Sequence, residues 1–209
     1  MRGRVILVGG MPSGGTSVVA GILHHLGVDM GRFKKKPAAP RDYWSYECWD
    51  CVEKVQRDVW PFSAIRFNPE RRLSVLREKL DEYLRVRMYT PGPWGFKNVR
   101  IFALLSVDHE WASHLPLEIV RVYRPREEAL AGEEKRYRGK LQANRLARAA
   151  VLWEMQQETD RKVKLPRVGV HFRDVLEEPE GSVRYLARTL RLEPSEEQVK
   201  SAVEFVRPR

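Results

Sequence analysis

Residues 9–17 read Gly-Gly-Met-Pro-Ser-Gly-Gly-Thr-Ser, directly after the apolar run Val5-Ile6-Leu7-Val8 and directly before a helix-like stretch. A strand, a glycine-rich turn and a helix start together make an anion site. The glycines let the backbone turn tightly so that several N–H groups converge, and the helix N-terminus adds partial positive charge. Thr16 and Ser17 add hydroxyl donors. From Gly10 the pattern G-x-x-x-x-G-K-[ST] of triphosphate loops fits, except that Thr16 stands in the lysine position. Where ATP or GTP is used, that lysine neutralises the β- and γ-phosphates. Its absence leaves three readings: a damaged nucleotide-hydrolase loop, a turn without function, or a loop for a different phosphate ligand. A Walker-B-like run ending at Asp108 can be drawn over 103–108, but its spacing suits a helix as well as a strand.

The elements that must position this loop follow from hydrophobic spacing. Val5–Val8 reads as a strand buried in a parallel sheet, and Thr16 to Leu26 as a helix ended by Gly27. Helical spacing recurs over 51–60, 71–86 and 101–115, and again near 182–190 and 195–205. Short strands are expected at 94–97, 118–123 and 168–172, with Pro125 opening a helix after the second of these. Strands alternating with helices predict an α/β, P-loop NTPase-like three-layer fold with a mainly parallel central sheet flanked by helices. In such sheets ligands bind beyond the carboxyl ends of the strands, where the 9–17 loop would lie. The 209 residues are expected to form a single domain over 1–209.

Thirty-eight Lys and Arg against 28 Asp and Glu give a net charge of +10, which favours an anionic partner without choosing among nucleotide, nucleic acid, acidic polymer or membrane surface. The basic stretch 133–164 has helical spacing, so its charges are expected to be a solvated face. The apolar run near the amino terminus is too short for a secretion signal or a membrane span, so a cytoplasmic protein is expected. Cys48 and Cys51 form one isolated C-x-x-C. With no second ligand pair, half-buried helix cysteines are expected rather than a zinc site.

Several segments, in order, resemble the sulfotransferases that use 3′-phosphoadenosine 5′-phosphosulfate (PAPS). Pro12-Ser13-Gly14-Gly15-Thr16-Ser17 is similar to their P-[RK]-S-G-T-[ST] loop, and the helix that follows leads into a G-V-x-M-G turn as in bacterial members. YWSYECWD at 43–50 resembles their G-Y-[FW]-E-D stretch. PWGFKNVR at 93–100 is similar to W-G-W-K-D-P-R, EIVRVYRPREEAL at 118–130 to the strand and helix of the 3′-phosphate site, and 168–192 to the carboxyl-terminal segment. Ser13 departs from the usual cation, Gly14 from the frequent serine, Asn98-Val99 from D-P, and Ala131 from a serine.

The resemblance implies sulfuryl transfer from PAPS to a hydroxyl or amine acceptor, a small molecule or glycan, with no metal and with nucleic acid an unlikely partner. Pro12, Ser13, Gly14, Gly15, Thr16 and Ser17 would cradle the 5′-phosphosulfate. Lys97 would be the electrostatic catalyst and Glu47 the base. Arg124 would hold the 3′-phosphate through its planar fork, and Arg100 the cofactor or the pocket wall. Tyr43, Trp44, Tyr46 and Trp49 could line an acceptor pocket or belong to the core. His24, His25, His109 and His114 are expected to be structural or superficial, and His171, inside a strand, packed. A small P-loop kinase using ATP and a basic nucleic-acid-binding protein remain the alternatives.

Overall fold

A computed structural model describes residues 5–31, 55, 69–136 and 142–206. Four strands form an all-parallel sheet: β1 (Val5–Gly10), β2 (Trp94–Lys97), β3 (Leu117–Tyr123) and β4 (Arg167–His171), in the spatial order β2-β1-β3-β4. Helix α1 (Thr16–His25) follows the glycine loop, and α2 (Pro69–Arg87) precedes β2. Between β2 and β3 run α3 (Val99–Leu104) and α4 (His109–Ala112). Between β3 and β4 run α5 (Arg126–Arg136) and α6 (Gln142–Lys162). The chain closes with α7 (Phe172–Glu177), α8 (Pro179–Thr189) and α9 (Glu196–Val206).

β1 is apolar at every position because both faces of the sheet are covered. Ile6 and Val8 pack with Val120, Val122, Val168 and Val170 under α1, α8 and α9. Val5 and Leu7 face the other way, with Trp94, Phe96 and Ile119, under α2 and α3. Tyr83 of α2 meets the rings of Trp94 and Phe96 edge-on, at 6.0 and 5.6 Å, the arrangement the ring quadrupoles favour. The result is the three-layer α/β sandwich of P-loop NTPase-like proteins.

Three expectations change. The helical segment over 101–115 divides at Asp108, whose carboxylate accepts from the Trp111 N–H and pairs with Arg77 of α2. Asp108 caps α4 and is engaged by Arg77 and the Trp111 N–H, rather than ending a strand as a Walker-B aspartate would. The last strand stops at His171, and Phe172 begins α7. His171 is exposed rather than packed, resting against the Tyr123 ring at 5.4 Å.

The inner face of α6 also differs from a simple apolar stripe. Alongside Ala149 and Leu152 it buries Gln156 and Thr159 completely. Opposite them Arg121, 1% exposed in the middle of β3, donates from Nε to Asp160 at 2.8 Å and lies between the rings of Phe102 and Tyr123. Asp160 also pairs with Arg167 of β4 at 3.3 Å. Removing the carboxylate would leave a buried guanidinium without its counter-charge, so Asp160→Ala should lower the unfolding free energy by about 3 kcal/mol, measured by urea denaturation.

At the far end of α1, burial pushes the His24 and His25 imidazoles below their ordinary value of 6.5; Asp29 opposes the fall at His24, and His24 adds to it at His25. His25 Nδ1 lies 2.9 Å from Ser201 Oγ, and its ring packs on Phe205 of α9. The folded protein resists protonation here, so the unfolded chain binds more protons as pH falls through about 6.5. The stability contributed is therefore present above that value and lost below it. The melting temperature should fall between about pH 7.5 and 5.5, and a His24→Gln/His25→Gln protein should show a shallower fall in the same scan.

Candidate functional site

The loop between β1 and α1 is shaped by close approaches. The Gly14 N–H donates to the Met11 carbonyl at 2.9 Å, and a side chain at Gly14 would strike that same carbonyl. Gly15 has φ of 90°, and a Cβ there would fall within 2.0 Å of the Phe172 ring. A residue other than glycine would meet both backbone strain and a ring that closes the loop from the β4–α7 junction. Gly15 also heads α1, and no side chain caps that helix. Its N-terminal turn therefore presents N–H groups and the positive end of the helix dipole beside the loop.

Lys97 comes to this place from β2. Parallel pairing sets Lys97 against Val8 in register, so the end of β2 stands beside the start of the loop. The lysine is 6% exposed, and its Nζ reaches Ser17 Oγ, in the first turn of α1, at 3.4 Å. The cation missing at Thr16 is thus matched by one from the neighbouring strand. Asn98 then caps α3, accepting from the Arg100 and Ile101 N–H groups at 3.0 and 2.9 Å. Asn and Asp are near-equal caps, which accounts for Asn98 in place of the aspartate. Arg100 is the second residue of α3 and half-buried at the same end of the sheet.

Arg124 follows the end of β3. Its Nη1 donates to the Ser13 carbonyl at 2.8 Å and its Nε to Glu128 at 3.3 Å, with the guanidinium carbon 5.2 Å from the centre of the Phe172 ring. Ser13 itself has φ of 55°, a left-handed conformation costing about 1 kcal/mol or more for a residue with a side chain. Two bonds hold it there: the one from Arg124, and one in which Ser13 Oγ donates to Glu133 Oε1 at 2.5 Å. Glu133, on α5, is 7% exposed. Neighbouring Gly132 lets α5 come close, since a Cβ there would lie 3.1 Å from the Ser13 Cβ.

The structure therefore gathers Pro12, Ser13, Gly14, Gly15, Thr16, Ser17, Lys97 and Arg124 around one helix start, with Arg100 at the same sheet edge. Glu47, the aromatic residues 43–49, Cys48, Cys51 and the helical stretch 51–60 apart from Val55 lie outside the described residues. Glu133, Phe172 and Gln156 were not singled out in the sequence. Glu133 carried no usable signal, being one of four glutamates on a helix of mixed charge. Phe172 is hidden by the displaced strand end. A separate cleft of about 480 Å³, bordered by His171, Asp174, Glu178, Ser182 and Tyr185, opens beside β4. Its acidic lining suits an anion poorly.

By sequence the chain matches no protein-family model and no curated protein. Solved structures do resemble it. Sulfotransferase STF1 from Mycobacterium tuberculosis H37Rv aligns with a TM-score of 0.53 at 16% identity, over 98% of this chain and 71% of that one. Sulfotransferase STF9 from Mycobacterium avium aligns with a TM-score of 0.54 at 11% identity, over 99% of this chain and 68% of that one. The fold is that of these sulfotransferases.

A buried carboxylate beside this loop would oppose an anionic ligand. Glu133→Gln keeps an acceptor for Ser13 and removes the charge, so inorganic pyrophosphate should bind about tenfold more tightly than to the unaltered protein, by calorimetry at low salt.

Proposed function

We propose that this protein is a sulfotransferase that moves a sulfuryl group from PAPS to a hydroxyl or amine acceptor. The observation that carries the reading is the buried Lys97 set against Ser17 across a phosphate loop that lacks its own lysine. The likeness in fold to the two mycobacterial sulfotransferases supports it.

The residues fit such a donor. The uncapped turn of α1 and the Gly14–Gly15 bend would receive the 5′-phosphate through backbone N–H groups, with Thr16 and Ser17 beside them. Lys97 would stabilise the charge that builds on the transferring sulfuryl group and the departing phosphate, a role that depends on a cation fixed in place before reaction. Arg124, at the end of β3, would meet the 3′-phosphate with its planar fork. PAPS supplies the activated sulfuryl group; the protein orients it and excludes water. Glu47 is proposed as the base that takes the acceptor proton, the acceptor being a small molecule or a glycan. No step in this scheme calls for a magnesium ion bridging two phosphates, and Asp108, the one Walker-B candidate, is occupied elsewhere. A cytoplasmic location and a single domain over 1–209 are part of the same proposal. Among the described residues, no helix is long and apolar enough to cross a membrane.

Adenosine 3′,5′-bisphosphate should raise the melting temperature by mass action, and ATP with magnesium should raise it far less. A clear shift with Mg-ATP and none with the bisphosphate would overturn the reading in favour of a kinase. Lys97→Ala should lower turnover in a radiolabelled sulfuryl-transfer assay on the order of 10²- to 10³-fold while bisphosphate binding persists. Unchanged turnover would remove Lys97 from the mechanism.

A further inference from the structure

Gln156 is fully buried on α6, and its side-chain amide is shared among three elements. Nε2 donates to the Gly10 carbonyl at 2.9 Å and to the Val99 carbonyl at 3.2 Å. Oε1 accepts from Arg121 Nη1 at 3.2 Å. A guanidinium only donates, so the oxygen must face Arg121 and the nitrogen must face the two carbonyls. Gly10 is the last residue of β1 before the glycine loop. Val99 is the first residue of α3, two positions after Lys97. The amide thus joins the two strand ends that carry the proposed anion loop and the proposed electrostatic catalyst.

The surroundings allow this amide little freedom. Arg121 is held in turn by Asp160, one helical turn after Gln156. Thr159, on the same face, has one hydroxyl proton, with the Phe102 carbonyl of α3 at 3.0 Å and the Met155 carbonyl of its own helix at 3.1 Å as its nearest acceptors. Phe102 of α3 closes on the guanidinium of Arg121. These polar groups sit where an apolar stripe would have packed α6 as well, and they grip the backbone at chosen points.

We propose that Gln156 is a positioning residue that sets the separation between the phosphate loop and Lys97. In this role it touches neither donor nor acceptor. It acts by holding the carbonyls of Gly10 and Val99 at a fixed distance, so that the end of β2 cannot drift from the start of α1. The kinetic consequence rests on the sulfuryl-transfer reading; the structural one does not.

The test compares the unaltered protein with Gln156→Met, of similar length but without donors, by three measurements. Hydrogen–deuterium exchange should quicken together at residues 10–17 and 97–101. Turnover in sulfuryl transfer should fall on the order of 10²-fold, as expected when a reacting group is displaced by about 1 Å. The Kd for adenosine 3′,5′-bisphosphate should change by less than about threefold, because the loop N–H groups that receive the phosphate remain. Quicker exchange confined to α6, or unchanged turnover in an active enzyme, would overturn the proposal. If the unaltered protein neither binds the bisphosphate nor transfers sulfuryl, the sulfotransferase reading fails, and the exchange comparison alone decides the positioning claim. Should Gln156→Met not fold, Gln156→Glu, which keeps the Arg121 bond and loses at least one donated bond, undergoes the same exchange comparison.

Discussion

Parallel pairing of β1 with β2 on one side and β3 on the other is the constraint on which the site depends. Parallel strands all point their carboxyl ends the same way, and the register sets Val8 beside both Lys97 and Val120, and Gly10 beside Val122. Residues distant in sequence are thereby delivered to one edge: the glycine loop after Gly10, Lys97 at the end of β2, Arg124 just after β3. Tyr123 and His171 pair in the same way at the next strand, which brings Phe172 over Gly15. A one-residue slip in the β1–β2 pairing would send Lys97 to the opposite face of the sheet.

Charge at the loop is balanced by contact rather than by sequence position. Thr16 and Ser13 both stand where a cation is usual in one or other type of phosphate loop. Lys97 and Arg124 bring positive charge from neighbouring strands, while Glu133 adds a carboxylate at Ser13. The uncharged loop is therefore not a neutral site, and any affinity for an anion would depend on three side chains outside it. Arg124 has a double engagement, with the Ser13 carbonyl and with Glu128, and a 3′-phosphate would compete with the second of these for the same guanidinium.

Much of this was legible in the sequence, because buried parallel strands and glycine loops carry local signatures. The run Val5–Val8, the short strand ending at Lys97 and the strand ending at Tyr123 all announce themselves by composition and spacing. The α/β architecture follows from their alternation with helices. The convergence of Lys97 and Arg124 on the loop was not local at all; it came from the resemblance of the motifs. What escaped detection shares one physical character. Gln156, Thr159 and Glu133 are polar residues on helices, which ordinarily face water, and here they are buried by hydrogen bonds to backbone or side chains more than 50 residues away in the chain. His171 misled in the opposite sense. Alternation marks it as part of a strand, but its face of the sheet is not covered at the strand's end.

The central claim is that one donor molecule spans the α1 turn, Lys97 and Arg124, and the measurement that tests it most directly is a crystal structure with adenosine 3′,5′-bisphosphate. The 5′-phosphate should lie on the N–H groups of residues 14–17 with Lys97 Nζ beside it, and the 3′-phosphate on Arg124. A nucleotide bound elsewhere, or one whose 5′-phosphate avoids the α1 turn, would contradict it.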